Sequence, residues 1–335
     1  MRITNRMITS KYVRSLNQIS SDLNRLNNKV TSGRAFTKAS ENTSAAIRAY
    51  QLRRDMSKSE GFMANIQHAE TTLRNSESSI MHIQELVQNA QTKVIQGVNG
   101  TQSESERKII ATELRNIQDQ MLQTLNGSSS DMYYFGGTNT TEKPFTLDAS
   151  GKLMYNNTPL DSLDATTANP LLSDSRFVDI GLNVRVDASG TIDNTSVFKY
   201  SIPGLQITGY GKETVNNEPD VSTNLYDLIG RIATELEKDS GYDKDMADAL
   251  LGKLQQTSPT VVHALTDVGA KTSYLEFITD RLETKEFNDQ ERQMQIEAAD
   301  PAETIIYFKS QEAAYNAALQ MGTKIIQPSI FDYMN

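Results

Sequence analysis

Apolar residues recur at heptad spacing near both ends of the chain and follow no helical period in its middle. Near the N-terminus the apolar positions alternate between steps of four and three residues: Tyr12, Leu16, Ile19, Leu23, Leu26 and Val30. A mean step of about 3.5 residues is the spacing of a coiled-coil seam. The pattern therefore predicts a helix that pairs along this seam and breaks at Thr31-Ser32-Gly33.

The segment from Ser44 to Gly97 carries the longest heptad pattern and contains no proline. One column of positions is Ala45, Leu52, Ser59, Ile66, Leu73, Ile80, Val87 and Val94. A second column is Ala49, Met56 and Met63, and then, shifted by one residue, Ala69, Ser76, Ile83 and Ala90. The shift indicates a local change of winding or of partner. We predict one long helix here, which Gly97 and Gly100 end.

Cap signals place further helices. Ser103 and Glu106 have the spacing of a capping box, and the apolar face that follows runs from Ile110 to Leu125. Helical periodicity returns over 225–236 and again over 261–282. Asp300-Pro301 predicts the start of the last helix, because Asp caps an N-terminus and Pro fits its first turn. The apolar positions of that helix are Ile305, Phe308, Tyr315, Leu319 and Ile326.

The middle of the chain, from about residue 133 to 222, has short Thr, Val, Phe and Tyr runs between turn residues. Thr146–Tyr155 and Val184–Ile192 have the pattern of hairpins. The predicted fold is mainly α with a small β-rich domain inserted in the middle. Its long N- and C-terminal helices form a coiled-coil or helical-bundle rod. The predicted division is a terminal assembly domain (1–40 with 300–335), a helical rod domain (41–137 with 223–299) and a surface insert (138–222).

Charge is distributed unevenly along the chain. The net charge is −9, yet residues 1–60 hold 12 Lys/Arg against 4 Asp/Glu, and residues 211–300 hold 9 against 19. The acidic total disfavours general nucleic-acid binding. We interpret the two segments as partners, and we expect Arg53, Arg54 and Lys58 to face Glu283, Glu286 and Asp289 across two helices. Without a long apolar run or an apolar N-terminal stretch, we expect neither membrane insertion nor a cleavable secretory signal.

The residues that usually carry chemistry are scarce. The chain has no cysteine and 3 histidines, and His68 and His82 lie two heptads apart, too far to share a metal. Gly136-Gly137 is not followed by the Lys-Ser/Thr of a phosphate-binding loop, and no Gly-x-Ser-x-Gly is present. We therefore predict no enzyme and no catalytic, cofactor-binding or metal-binding residue.

The terminal seams point instead to assembly. Isolated helices of this length are marginal in water, so such seams order best against other helices. An internal helix bundle is one explanation, and contact with other copies or partners is the other. We predict that an assembly interface is formed by Tyr12, Leu16, Ile19, Leu23, Leu26, Val30, Ile305, Phe308, Tyr315, Leu319 and Ile326.

Several short motifs, in order along the chain, resemble the flagellin superfamily. Near the N-terminus they are Thr31-Ser32-Gly33-Arg34 and the Ala-rich helix start that follows Lys38 to Ser44. Others resemble the hook-associated members more than the flagellins: Asn99-Gly100-Thr101, Tyr134–Thr138, Lys143-Pro144-Phe145, Ala299–Glu303, Tyr315–Leu319 and the ending Ser329–Asn335.

This resemblance implies a structural subunit of the bacterial flagellum at the junction between hook and filament, exported by the flagellar type III apparatus. The partners that it implies are other copies in a ring, a hook-associated protein on the hook side, flagellin on the filament side, and a cytoplasmic export chaperone at the C-terminal helix. Two alternatives stay open: flagellin itself, and a surface adhesin or enzyme on a coiled-coil stalk with the insert as its active module.

Overall fold

The computed structural model describes residues 5–99, 102–129, 131–187, 190, 192–193 and 195–325. Its α-helices are α1 (Asn5–Ser32), α2 (Thr43–Val98), α3 (Glu104–Leu125), α4 (Ala165–Ser173), α5 (Leu205–Thr208), α6 (Leu225–Leu236), α7 (Lys244–Thr257), α8 (Pro259–Glu297) and α9 (Pro301–Ile325). A 3-10 helix spans Leu160–Ser162. The helices predicted from periodicity and caps are all present.

The strands are short, and each pairs antiparallel with a neighbour in sequence. They are β1 (Ser128–Ser129), β2 (Met132–Tyr133), β3 (Phe145–Leu147), β4 (Leu153–Tyr155), β5 (Thr158–Pro159), β6 (Phe177–Val178), β7 (Phe198–Lys199), β8 (Lys212–Val215) and β9 (Glu218–Ser222). Strands β3, β4 and β5 form one small sheet, and β1–β2, β6–β7 and β8–β9 form pairs. The fold class predicted from the sequence, mainly helical with a β-containing insert, is confirmed.

The chain divides into two compact units. The terminal unit comprises Met1–Glu60 and Leu282–Asn335, and the central unit comprises Gly61–Arg281. The ends of the predicted seams at Ile326 and beyond, the residues Met1–Thr4 and the position Gly100 lie outside the described residues. The three-part division into residues 1–40 with 300–335, 41–137 with 223–299, and 138–222 stays a prediction.

The central unit has a continuous apolar core. Both heptad columns of α2 are buried there: Ile66, Leu73, Ile80, Val87 and Val94 in one, and Ala69, Ser76, Ile83 and Ala90 in the other. Ser76 satisfies its hydroxyl by donating to the Thr72 carbonyl. Helix α3 packs against α6, and Gly97 lets the Leu236 side chain approach, since a Cβ there would lie 3.1 Å from it. The core therefore uses the residues that the periodicity indicates.

Cap chemistry fixes the helix ends where the sequence predicts them. The Ser103 backbone N–H donates to Glu106, and the Glu106 backbone N–H donates to Ser103 Oγ, which completes the capping box. The Ser103 N–H and the Ser103 hydroxyl both donate to the Glu106 carboxylate, and these bonds lower the pKa of Glu106. At α9, Asp300 Oδ1 accepts from the backbone N–H groups of Ala302 and Glu303.

The insert mixes hairpins with helices. The hairpin predicted at Thr146–Tyr155 is present as β3–β4, with Phe145 opposite Tyr155. At Val184–Ile192 the structure shows one antiparallel bridge, Val186 to Ile192, and residues 188, 189 and 191 of its loop lie outside the described residues. Helices α4 and α5 are too short to give a period, and α4 contains Pro170. Sequence periodicity accordingly missed them, and it also missed α7.

Candidate assembly interface

The two terminal helices pack against each other within one chain. Helix α1 contacts α9 along its length. On α1 the predicted seam residues Tyr12, Leu16, Ile19, Leu23 and Leu26 are partly buried, and Val30 at its end is exposed. One chain thus already covers part of the N-terminal seam with its own C-terminal helix.

Helix α9 turns a different face inward from the one that its apolar residues suggested. Apart from Glu312, its less exposed positions recur at heptad spacing: Thr304, Phe308, Gln311, Tyr315, Ala318 and Gly322. Phe308 and Tyr315 from the predicted seam lie in this column. Ile305 and Leu319 lie off it and are 47% and 42% exposed, while Ile326 is outside the described residues. The predicted residues of α9 therefore occupy two faces, one toward α1 and one toward solvent.

Tyr12 is the best-defined contact between the two helices. Its hydroxyl donates to the Ala318 carbonyl at 3.0 Å. A Cβ at position 322 would lie 2.1 Å from that hydroxyl oxygen, so only glycine leaves room for the ring. Gly322 is a residue that hydrophobic periodicity could not identify, because it adds no apolar side chain to the pattern.

An apolar groove of about 530 Å³ lies beside this contact. Both helices line it: Met7, Ile8, Lys11, Tyr12 and Ser15 from α1, and Ala318 and Met321 from α9. Met7 and Met321 are largely exposed. The first turns of α1 and the last turns of α9 therefore both contribute apolar surface.

A short backbone clamp joins the inner ends of the helix pair to α2 and α8. Gly33, with φ of +66°, ends α1 in the left-handed conformation that glycine adopts without strain. The Ala299 N–H donates to the Gly33 carbonyl, and the Ala35 N–H donates to the Glu297 carbonyl. Arg34 and Ala298 form an antiparallel bridge between these bonds. The predicted turn at Thr31–Arg34 thus ties the two chain segments together.

The charged residues in the terminal unit pair in a register different from the predicted one. Arg53 contacts Glu297 at 2.5 Å, whereas Arg54 contacts its neighbour Asp55 at 3.4 Å. Asp289 is paired with Lys285 on its own helix, and Lys285 also donates to Ser59 Oγ at 3.0 Å. The expectation that Arg53, Arg54 and Lys58 pair with Glu283, Glu286 and Asp289 is wrong. Basic residues of α2 do pair with acidic residues of α8, but the pair that forms joins Arg53 to Glu297, the last residue of α8.

The described residues offer little for chemistry. His68, His82 and His263 are exposed, and no group of three or more potential metal ligands is found among the residues that the structure describes. None of the described helices is long and apolar enough to cross a membrane.

Comparison with known proteins identifies relatives of this chain. Residues 3–140 match the family described as bacterial flagellin N-terminal helical region. Flagellar hook-associated protein 3 of Escherichia coli strain K12 is 21% identical over 281 residues, which is 78% of this chain and 88% of that protein.

Solved structures share the fold. A flagellar hook-associated protein of Vibrio parahaemolyticus matches with a TM-score of 0.61 and 20% identity over 77% of this chain and 100% of its own. A flagellar junction protein from Legionella pneumophila matches with a TM-score of 0.54 and 14% identity over 75% of this chain and 100% of its own. The resemblance to the flagellin superfamily is thereby confirmed: residues 3–140 match its N-terminal helical region, and the chain is similar over most of its length to flagellar hook-associated protein 3.

Proposed function

We propose that this protein is a structural subunit of the bacterial flagellum at the junction between hook and filament, and that it assembles through its terminal unit. The similarity to flagellar hook-associated protein 3 over 78% of the chain carries the assignment. Like its relatives, the protein is exported and built into the flagellum outside the cell. Its role is mechanical and involves no catalysis.

The exposed apolar surface of the terminal unit supports the assembly role. Among its described residues, Ala49 and Leu282 are the only buried apolar side chains, whereas exposed ones occur on α1, α2, α8 and α9. The groove beside Tyr12 joins several of them into one apolar surface, and such a surface usually marks a site of interaction. Other copies of the chain would cover this surface in an assembled tube or ring.

The individual partners follow from the family resemblance and belong to the proposal. They are a hook-associated protein on the hook side, flagellin on the filament side and an export chaperone that binds the C-terminal helix before secretion. Of the eleven predicted interface residues, those turned toward α1 or α9 would hold the helix pair together. Those turned outward, Ile305 and Leu319 with Val30, would contact neighbouring subunits.

Immunogold labelling of isolated flagella tests the proposal. A strain that lacks the natural gene is complemented with the epitope-tagged chain, and we expect label in one narrow band at the base of each filament and restored swimming. Label along the whole filament would indicate flagellin instead. Label on the cell body, with none on flagella, would favour a surface adhesin or enzyme and would refute the junction role.

A further inference from the structure

We infer that a second copy of this chain docks laterally, with the outer face of α2 in one copy against the outer face of α8 in the next. The inference rests on the proposed function and names the surface through which neighbouring subunits touch. It concerns the parts of α2 and α8 that belong to the terminal unit, and it does not use the contact between α1 and α9. We call the two surfaces the basic face and the acidic face.

The basic face consists of Ile47, Tyr50, Arg54 and Lys58. Steps of three, four and four residues place them on one side of α2. Tyr50 is 72% exposed, and Ile47 is exposed beside it. Arg54 reaches only the adjacent Asp55, and Lys58 forms no ion pair within the described part of the chain. Two apolar side chains thus lie next to two cations, which have few acidic partners among the described residues of their own chain.

The acidic face consists of Glu283, Phe287, Glu291 and Met294. Steps of four, four and three residues place them on one side of α8. Phe287 is 69% exposed, and Met294 is exposed one step further along. Glu283 forms no ion pair among the described residues, and Glu291 accepts only a long hydrogen bond from Gln295. Apolar and acidic side chains therefore alternate on this face.

Contacts within the chain define which residues of the two helices lie at the same level. Lys285 donates to Ser59, and Arg53 pairs with Glu297, so the helices run antiparallel. Counted from the shorter-range contact of Lys285 with Ser59, and with the same rise per residue in both helices, Tyr50 is level with Met294. By the same count, Arg54 lies at the level of Glu291.

A copy displaced sideways without a change of level would bring these positions together. By the count from Ser59 and Lys285, Tyr50 would then meet Met294 and Arg54 would meet Glu291. Lys58 would lie beside Phe287, with Glu283 about one turn further along. Apolar contacts combined with complementary charges are typical of specific interfaces. Because the two faces differ, the contact is head-to-tail and repeats from copy to copy, which generates a ring or a tube.

Cysteine cross-linking tests this contact, because the chain has no cysteine of its own. Two differently tagged copies, one with Tyr50→Cys and one with Met294→Cys, are produced together in the strain that lacks the natural gene. Isolated flagella are treated with a short bifunctional maleimide. We expect a cross-linked dimer that carries both tags.

The matched control replaces Met294→Cys with Asn288→Cys. Asn288 is exposed and adjacent to Phe287, but it lies on another side of α8. The cross-linked dimer should be lost with this control, and also when both copies carry only Tyr50→Cys. Equal cross-linking by the control, or none by the Tyr50 and Met294 pair in flagella that contain both copies, would overturn the inference.

Charge reversal gives a second measurement. The pair Arg54→Glu with Lys58→Glu, and the pair Glu283→Lys with Glu291→Lys, should each lose incorporation, and all four together should regain it. Thermal melting of the purified chains should stay unchanged, because all four side chains are exposed. Normal incorporation of both reversed pairs into flagella would refute this inference and leave the proposed function intact. If the unmodified chain is absent from flagella, the proposed function fails and the inference fails with it.

Discussion

The central and terminal units are both helical, yet they bury their apolar residues to very different extents. In the central unit Leu73, Ile80, Leu114 and Leu228 are completely buried, and the aromatic side chains of Phe135, Phe145 and Tyr155 are buried there as well. In the described part of the terminal unit the buried positions are mostly polar: Ser59, Asp289, Glu297 and Thr304. Exposed apolar residues, by contrast, are spread over all four of its helices.

We propose from this difference that the central unit folds by itself and that the terminal unit is completed by partners. A closed apolar core supplies most of the free energy of folding in a single chain. Helices that meet through polar residues, ion pairs and one tyrosine contact gain less, and they keep apolar surface for other chains. An assembly subunit needs both properties, because it must hold its shape alone and still bind its neighbours.

The largest loss of stability is expected from a substitution in the core of the central unit. Leu73→Ala removes a fully buried side chain from α2 and should lower the free energy of unfolding by about 2–5 kcal/mol. Leu23→Ala, at a partly buried position on α1, is the matched change in the terminal unit and should cost less than half as much. Chemical denaturation followed by circular dichroism measures both, and equal losses would contradict the comparison.

A smaller effect is expected at the contact between α1 and α9. Gly322→Ala places a methyl group where the Tyr12 hydroxyl lies, and overpacking of this kind costs about 1–3 kcal/mol. Hydrogen exchange should show faster exchange of the α1 amides, with little change in α3 and α6.

Gly269→Ala in α8 is the control, because nothing lies within 4 Å of its added methyl group. This helical substitution should stabilise the central unit by about 0.5–1 kcal/mol. Tyr12→Ala tests the steric contact directly. In a chain that already carries Tyr12→Ala, Gly322→Ala should cause almost no further loss of stability. Additive losses in the double variant would show that the two residues act independently.

The smallest loss of stability is expected at the ion pair between Arg53 and Glu297. Arg53→Gln leaves the Glu297 carboxylate, only 8% exposed, without its cation at the C-terminal end of α8. The helix dipole is unfavourable for an anion there, and we expect a loss of about 1 kcal/mol because Arg53 is half exposed. Thermal melting should detect it.

Arg54→Gln is the neighbouring control and should leave the melting temperature unchanged, since Arg54 contacts only Asp55. The register is tested by exchanging the partners, Arg53→Glu with Glu297→Arg, which should recover part of the stability lost by Arg53→Glu alone. No recovery would mean that packing of the Arg53 side chain, and not its charge, holds the clamp.

The sequence alone determined the features that depend on neighbouring residues along the chain. Heptad spacing located α1, α2 and α8, and both predicted columns of α2 are buried over residues 66–94. Asp300-Pro301 and the Ser103–Glu106 box located two helix starts. Such signals work because helix periodicity and capping act within one or two turns.

Only the tertiary structure decided which surfaces are covered within the chain. Helix α9 turns Thr304, Gln311, Ala318 and Gly322 inward, and none of these has the large apolar side chain that a hydrophobic pattern records. Arg53 pairs with Glu297 because the clamp at Gly33 and Ala299 sets the register of the helices. Close packing and long side chains act across hundreds of residues in sequence, so their outcome depends on three-dimensional position and not on local spacing.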